Sequence, residues 1–557
     1  MSSTDTRERA LVEAVSLENL TRDNAEIAKG VRLSGSAAEA HAFAYLADRC
    51  RAFGMAVAQY TVDAYVSLPG AAMLTVASLR DQALPCITHS FSLATGPEGL
   101  TAPLVYVGNG AAADYAGKDV RGAIAMTDGL AMPAVAHTAY QAGAAGMICV
   151  NPAGLHEMII SPVWGTPTPE TAPSLPRLAA VSVRTQEGDA LKALAARGPV
   201  TVRLQTEVET GWRPIPTLTA EIGGAEDRFI LLSGHVDSWH YGAMDNASAN
   251  ATMLEVGRIV GERRGELRRG LRLAFWSGHS HARYGASAWY ADAFFADLYD
   301  RCVCHVNAES TGGRGATDVS SPGNMAETWR FAAGPIRDVT GQELTYRRLA
   351  RNGDQSFEGV GIPSALAGLS SQPEGGLGWW WHTPEDTLDK IDPANLVRDT
   401  RVYLLTCWRL CTLPILPFDY AETAKELRDR LHLLQESANG RFDLTPLMAE
   451  ADALHADVER LNAAVTAGND ADVERLNVAI MAAGRALIPV NYTKAGPFEV
   501  DLALENPILP GLAAVADLAA LDPASNEAGF LRTRLVRERN RVWHALATAR
   551  REIARAL

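Results

Sequence analysis

Between residues 227 and 371 the chain alternates short apolar runs with segments of helical spacing, and this alternation restricts the fold more than any other feature. The runs read "DRFILLSGHVD", "ATMLEVGRIVGERR", "LRLAFWSG", "SAWYADAFFADL", "CVCHVNAEST", "ETWRFAAGPIRDVTG" and "PSALAGLSS". Strands alternating with helices of roughly 10 to 15 residues predict an α/β domain, a mixed but mostly parallel sheet flanked by helices on both faces. In such sheets functional groups collect beyond the carboxyl ends of the strands. Polar residues at those ends are therefore the first place to look for chemistry.

The remaining chain divides around this core. Residues 1–96 begin with helical spacing, "SAAEAHAFAYLADRCRAFG" carrying a Ser start and a Gly stop, and pass into the strand pattern "MAVAQYTVDAYVSL". They read as the first part of the sheet domain. Over 97–208 the texture changes to short strands rich in Gly and Ala, with one strand–helix–turn–strand unit in "GAIAMTDG" and "AVAHTAYQAGAAGMICVNP". This predicts an inserted small α/β or β-rich module whose tail, "SPVWGTPTPETAPSLPRL", is a loop. Residues 209–418 hold the main part of the sheet domain, and 419–557 are mostly helical. In that last part "LIPVNYTKAGPFEVD" reads as an extended break, and "LRTRLVRERNRVWHALATARREIARAL" as a long amphipathic helix that packs on its own domain or meets a partner subunit.

Composition narrows the partners. Of 557 residues, 47% are hydrophobic and 21% charged, enough for more than one core, and the net charge of −14 argues against a surface built for nucleic acid or an anionic membrane. No apolar run reaches the roughly 20 residues of a membrane span, and "MSSTDTRERALVEAVSLENL" lacks a secretory apolar core, which points to the cytoplasm. The seven cysteines have no metal-like spacing and read as packed, reduced thiols.

Three constellations hold chemistry-bearing residues. In "SGHVDSWHYGAMDNASANATMLE" a strand ends by offering His235 and Asp237, and a Gly-rich turn delivers Asp245 before a helix. "CVCHVNAESTGG" ends its alternation at Glu309, and "WWWHTPEDTLDKID" places His382 after three tryptophans, a wall that would exclude water. Imidazoles and carboxylates at strand ends suit Zn²⁺ or a similar divalent ion, with Asp237 free to hydrogen-bond a ring or position a ligand. Each segment alone has a plainer reading as a helix cap or a strand terminus. Two His and two carboxylates converging from separate strand ends of one sheet do not.

These segments resemble the zinc aminopeptidase and carboxypeptidase family related to glutamate carboxypeptidase and the transferrin receptor. "HVD", "GAMDN", "NAE" and "HTPEDTLDKID" match its ligand motifs, "GDQSFEGVGIPSALAG" matches a further segment with Gln355 where His is common, residues 97–208 resemble its protease-associated domain, and the helical end is placed like its dimerisation domain. The resemblance implies that His235, Asp245 and Glu309 hold one metal ion and that Asp245 and His382 hold a second, with Asp245 bridging. It also implies a homodimer formed through the helical end.

One motif departs. The family's Glu-Glu pair, base and then ligand, is replaced by "GHSHARYGAS" at 278–287. Counted forward from Trp276 the pair falls on His279 and Ser280; counted back from Ser287 it falls on Ser280 and His281. An imidazole can do both jobs, because it titrates near neutrality and its neutral ring binds zinc. We read His279 as the base, with His281 as its alternative or as a substitute ligand, and a site of one or two ions. Arg283 and Tyr284 are placed to bind a substrate carboxylate or an oxyanion, or Arg283 is a structural ion-pair partner; His240 lines the cleft or faces solvent. The expected activity is metal-dependent hydrolysis of an amide bond in a small peptide or N-acyl amino acid. The alternatives are another hydrolysis or a lyase reaction on the same scaffold, and a binding or scaffold protein that has lost activity.

Overall fold

A computed structural model describes residues 3–77, 82–467 and 472–557. Its centre is the parallel ladder that the alternation predicts. Strand Phe229–His235 lies between Gly270–Trp276 and Cys302–Asn307, and the latter pairs with Ser364–Ala367, all parallel. Every residue of the first three strands is buried, which is why they read as continuous apolar runs rather than as alternating ones. Helices Ala249–Glu262 and Pro393–Thr412 pack against this ladder, their Val256, Ile259, Val402 and Leu404 side chains entering the same core as Ile230 and Leu232.

The sheet continues past Gly270–Trp276 into an antiparallel pair of unusual length, Thr201–Ile222 against Ala56–Val76. The same strand Thr201–Ile222 also pairs with Leu100–Tyr106, from which Ile124–Asp128, Gly146–Asn151 and Ala179–Arg184 follow in parallel. The inserted module is thus an α/β unit joined to the main sheet through one continuous strand, within which residue 208 falls. The tail 161–178 is loop apart from a short turn at Ala172–Ser174. At the amino end, Ser36 caps helix Ala37–Ala52 by accepting from the Glu39 amide.

The carboxyl-terminal region consists of helices Tyr420–Ser437, Thr445–Ala467, Val473–Tyr492, Val515–Ala520 and Asn526–Ala556. The last buries Leu535, Val542, Leu546 and Ile553 in its own domain and exposes Phe530 and Trp543. One expectation is corrected here. "LIPVNY" is not extended but forms the last turns of helix Val473–Tyr492, through Pro489. A proline so near a carboxyl terminus forfeits one backbone bond, and burial of Leu487, Ile488, Val490 and Tyr492 outweighs that loss. All seven cysteines are free, and among the described residues no helix is long and apolar enough to cross a membrane.

Candidate metal centre

His235 ends its strand with Nδ1 donating to the carbonyl of Asp237 at 2.9 Å. That bond fixes the tautomer and leaves Nε2 bare. Nε2 lies 3.0 Å from Asp245 Oδ1 and 3.2 Å from Glu309 Oε1. Asp245 reaches this point through a turn at Gly242, whose φ of 54° and lack of a side chain are both required, since a Cβ there would strike the Asp245 carbonyl. The turn is held from above by Asp386, which accepts from the amides of Met244 at 2.9 Å and Asp245 at 3.0 Å. Asp245 Oδ2 is in turn 3.0 Å from His382 Nε2. Glu309 follows the adjacent strand Cys302–Asn307.

His382 is oriented by the inserted module. Its Nδ1 donates to the Glu157 carbonyl at 2.7 Å, the Glu157 amide donates back to the His382 carbonyl at 2.9 Å, and His156 Nδ1 lies 2.6 Å from the Trp381 carbonyl. Trp381 stacks on the His382 ring at 3.5 Å, Trp380 is buried, and Trp379 is exposed.

The "GHSHARYGAS" turn separates its two histidines. Gly278 takes a φ of 76°, and buried Asp237 then accepts the amides of His279 at 3.1 Å and Ser280 at 2.9 Å. The His279 ring stacks on His235 at 3.8 Å, and donor atoms of His235, His279 and Glu309 all lie within 4.8 Å of one another. Its Nδ1 is 2.7 Å from Asp354 Oδ2, while Asp354 Oδ1 accepts from Ser287 at 2.6 Å. His281 turns the other way: it is fully buried, 3.0 Å from Ser34 Oγ and 4.6 Å from the Trp239 ring. It lies behind Asp237 and outside the donor group. Tyr284 meets His279 edge-on at 4.9 Å, and the Arg283 guanidinium covers the Tyr284 ring at 4.6 Å. His240 is half-buried, and burial together with His382 and His281 lowers its pKa to about 4.

The residues fit a divalent cation. Asp245 Oδ1 and Glu309 Oε2 are buried with no hydrogen-bond donor, an arrangement that costs free energy unless a positive charge sits between them. Burial alone would depress the His235 pKa, yet Glu309 and Asp245 hold it well above the usual imidazole value. Burial tends to raise Asp245 as well, but the adjacent His235 and His382 rings keep it well below the ordinary carboxylate range. The donor set is two imidazole nitrogens and two carboxylates, with His279 Nε2 adjacent, the composition a zinc site uses.

Four contributors were absent from the sequence reading. Asp386 lies in the quoted "HTPEDT" and Asp354 in the quoted "GDQSF", so only their roles were missing. Arg32 and Glu157 carried no signal. Arg32 is fully buried and donates to the carbonyls of Val236 at 2.7 Å, Tyr241 at 2.7 Å and Gly242 at 3.0 Å, fixing the loop that carries Asp237 and Asp245.

Residues 217–406 match peptidase family M28 and residues 100–191 match the PA domain. A probable glutamate carboxypeptidase VP8 of Zea mays is 25% identical over 518 residues, spanning 76% of this chain and 70% of its own. Aminopeptidase NAALADL1 of Rattus norvegicus is 24% identical over 42% of this chain and 37% of its own length. The chain therefore spans well under half of some relatives that it matches. Among solved structures, the aminopeptidase from Aneurinibacillus sp. strain AM-1 superposes with a TM-score of 0.56 at 23% identity, over 72% of this chain and 96% of that one. The peptidase M28 precursor from Shewanella amazonensis gives 0.60 at 20% identity, over 73% and 96%.

Proposed function

From the premise that the chain combines a peptidase family M28 domain with a PA domain, we propose that it is a metal-dependent hydrolase that cleaves the amide bond of a small peptide or N-acyl amino acid. The observation that carries this reading is the convergence of His235, Asp245, Glu309 and His382, with one buried carboxylate oxygen of Asp245 and one of Glu309 left without a hydrogen bond. One or two Zn²⁺ or similar ions held there supply Lewis acidity toward a carbonyl and toward water. His279 replaces the usual glutamate as base. With Nδ1–H donating to Asp354, its Nε2 is the free lone pair beside the donor group; it accepts a proton from the attacking water and returns it to the departing amine as the C–N bond breaks. Asp237 holds the turn that aims it. Trp239, Trp380 and Trp381 limit water on the His382 side.

The same reading places the enzyme in the cytoplasm as a homodimer. The free cysteines support the reducing compartment, and the exposed Phe530 and Trp543 of the last helix support the second copy. The test of the function is metal analysis of the purified protein together with a panel of dipeptides and N-acyl amino acids, scored for hydrolysis and for elimination products. Bound transition metal with amide hydrolysis is expected. Absence of metal binding and of any gain on adding Zn²⁺, Mn²⁺ or Co²⁺ overturns the proposal.

A further inference from the structure

A cavity of about 500 Å³ lies between the sheet domain and the helical end, on residues that the metal centre does not use. Its size is within the roughly 300–1,000 Å³ of small-molecule sites. Trp329 and Tyr346 line it from the sheet side, their rings 6.1 Å apart and tilted by 36°. Leu433, Pro507 and Ile508 line it from the helical end, with Leu433 54% exposed. Aromatic and aliphatic walls of this kind suit a flat apolar body.

The charges around the cavity are paired, with one exception. Glu422 accepts from Arg330 Nε at 2.9 Å, Glu426 accepts from Arg348 at 2.9 Å, and Asp429 lies 3.2 Å from Lys425 Nζ. Arg348 is used up: its guanidinium also rests on Tyr492 at 3.9 Å and donates to the Asn491 carbonyl at 2.8 Å. Arg430 lines the same cavity, and among the described residues it has no carboxylate at ion-pair distance. Its Nε donates to the Ile508 carbonyl at 3.2 Å, which steadies the guanidinium and leaves the edge formed by Nη1 and Nη2 without an acceptor. Neither Nη is enclosed by protein, so that edge is open. Burial draws the Arg430 pKa down, with no carboxylate opposing it.

We propose that this cavity binds a small monocarboxylate with a flat apolar body, its carboxylate on the Nη edge of Arg430 and its ring against Trp329 and Tyr346. One spare cation among otherwise paired charges matches one negative charge, whereas a dianion would also face Glu422, Glu426 and Asp429. The two Nη donors form a fork that a carboxylate fills in two-bond geometry, which a lysine does not reproduce. The apolar body covers surface from both sides at once, so an occupant ties the helical end to the sheet domain. The site is separate from the proposed metal ligands and does not rest on the hydrolase reading.

The experiment is calorimetry of 3-phenylpropionate, 3-phenylpropionamide, acetate and inorganic phosphate on the full chain supplied with Zn²⁺. The proteins are wild type, Arg430→Met, Arg430→Lys and Leu433→Asp. Wild type is expected to bind 3-phenylpropionate at least about tenfold tighter than its amide or acetate. Arg430→Met is expected to erase the difference between acid and amide, and Arg430→Lys to restore it in part. Leu433→Asp changes an exposed position, leaves the core intact and sets a negative charge beside the cavity, so it is expected to weaken the acid more than the amide. Acid binding that is equal in wild type and Arg430→Met places the acid elsewhere, as on the metal ions, and overturns the proposal. Absent or equal binding of acid and amide by wild type overturns it too, as does phosphate or acetate binding as tightly as 3-phenylpropionate. A shift in sedimentation between wild type and Arg430→Met without carboxylate binding marks the cavity as a protein contact and also overturns it. Should Arg430→Met not fold, acid binding left unchanged by Leu433→Asp overturns the proposal on its own.

Discussion

His279 Nδ1 and Asp354 Oδ2 are 2.7 Å apart, although 75 residues separate them in the chain. A carboxylate can only accept, so it fixes the tautomer in which Nε2 is bare. Asp354→Asn removes that constraint and lets the amide donate to Nδ1 instead, moving the ring proton to the working nitrogen. We expect kcat to fall at least about 100-fold with metal content and KM nearly unchanged. In a double-mutant cycle, Asp354→Asn on a His279→Ala background should cost almost nothing further. Strictly additive losses would show that Asp354 acts by some route other than His279.

Metal retention separates ligands from base. His235→Ala and Asp245→Ala each remove a donor that other ligands lean on, and both should lose their metal on dialysis, as read by elemental mass spectrometry. His279→Ala should keep its metal while losing turnover by about 100- to 10,000-fold, the range of general-base catalysis. Metal loss from His279→Ala equal to that from His235→Ala would make His279 a ligand and leave the base unassigned.

The sequence made some of this legible and hid the rest for physical reasons. His235, Asp245, Glu309 and His382 stand directly beyond strands or caps whose apolar runs announce them, so local pattern locates each one. The choice between His279 and His281 is not local. It is made by Asp237 accepting two successive amides and by Ser34 receiving His281 on the other side, contacts that span 42 to 247 residues. Asp354 sits in a left-handed turn after Gly353, where no periodicity marks it. The parallel ladder was readable because its strands are buried on both faces. The last turns of Val473–Tyr492 were misread because Pro489 outweighs its neighbours in any local rule, whereas in the fold their burial decides.

The bond from His382 Nδ1 to the Glu157 carbonyl ties a proposed metal ligand to the inserted module, and His156 steadies the same loop through the Trp381 carbonyl. Groups that orient a ligand's far nitrogen are commonly worth 10- to 100-fold, roughly, in metal affinity. His156→Ala should therefore weaken Zn²⁺ binding by about that factor in a chelator competition assay, although residue 156 is no ligand. Unchanged affinity would mean that the inserted module merely caps the site.

Glu327 gives a pH test at a group outside the proposed ligand set. It is 1% exposed, its Oε2 accepts from Thr423 at 2.8 Å, and its Oε1 is buried without a partner. Burial raises its pKa to about 7, against about 4.3 for an unfolded glutamate. Below the unfolded value both states hold the proton and the group contributes nothing to the balance. Between the two values the folded state binds a proton that the unfolded state has released, so stability falls as pH rises, by up to about 1.4 kcal/mol per unit. Above the folded value the loss is complete and constant. Glu327→Gln keeps the shape and cannot ionise. Its thermal stability relative to wild type should therefore improve between pH 5 and pH 8 by an amount on the order of 2–4 kcal/mol, followed by calorimetry at fixed metal concentration. A difference that stays flat across that range would show that Glu327 is already ionised in the folded protein, with water or a counter-charge at Oε1.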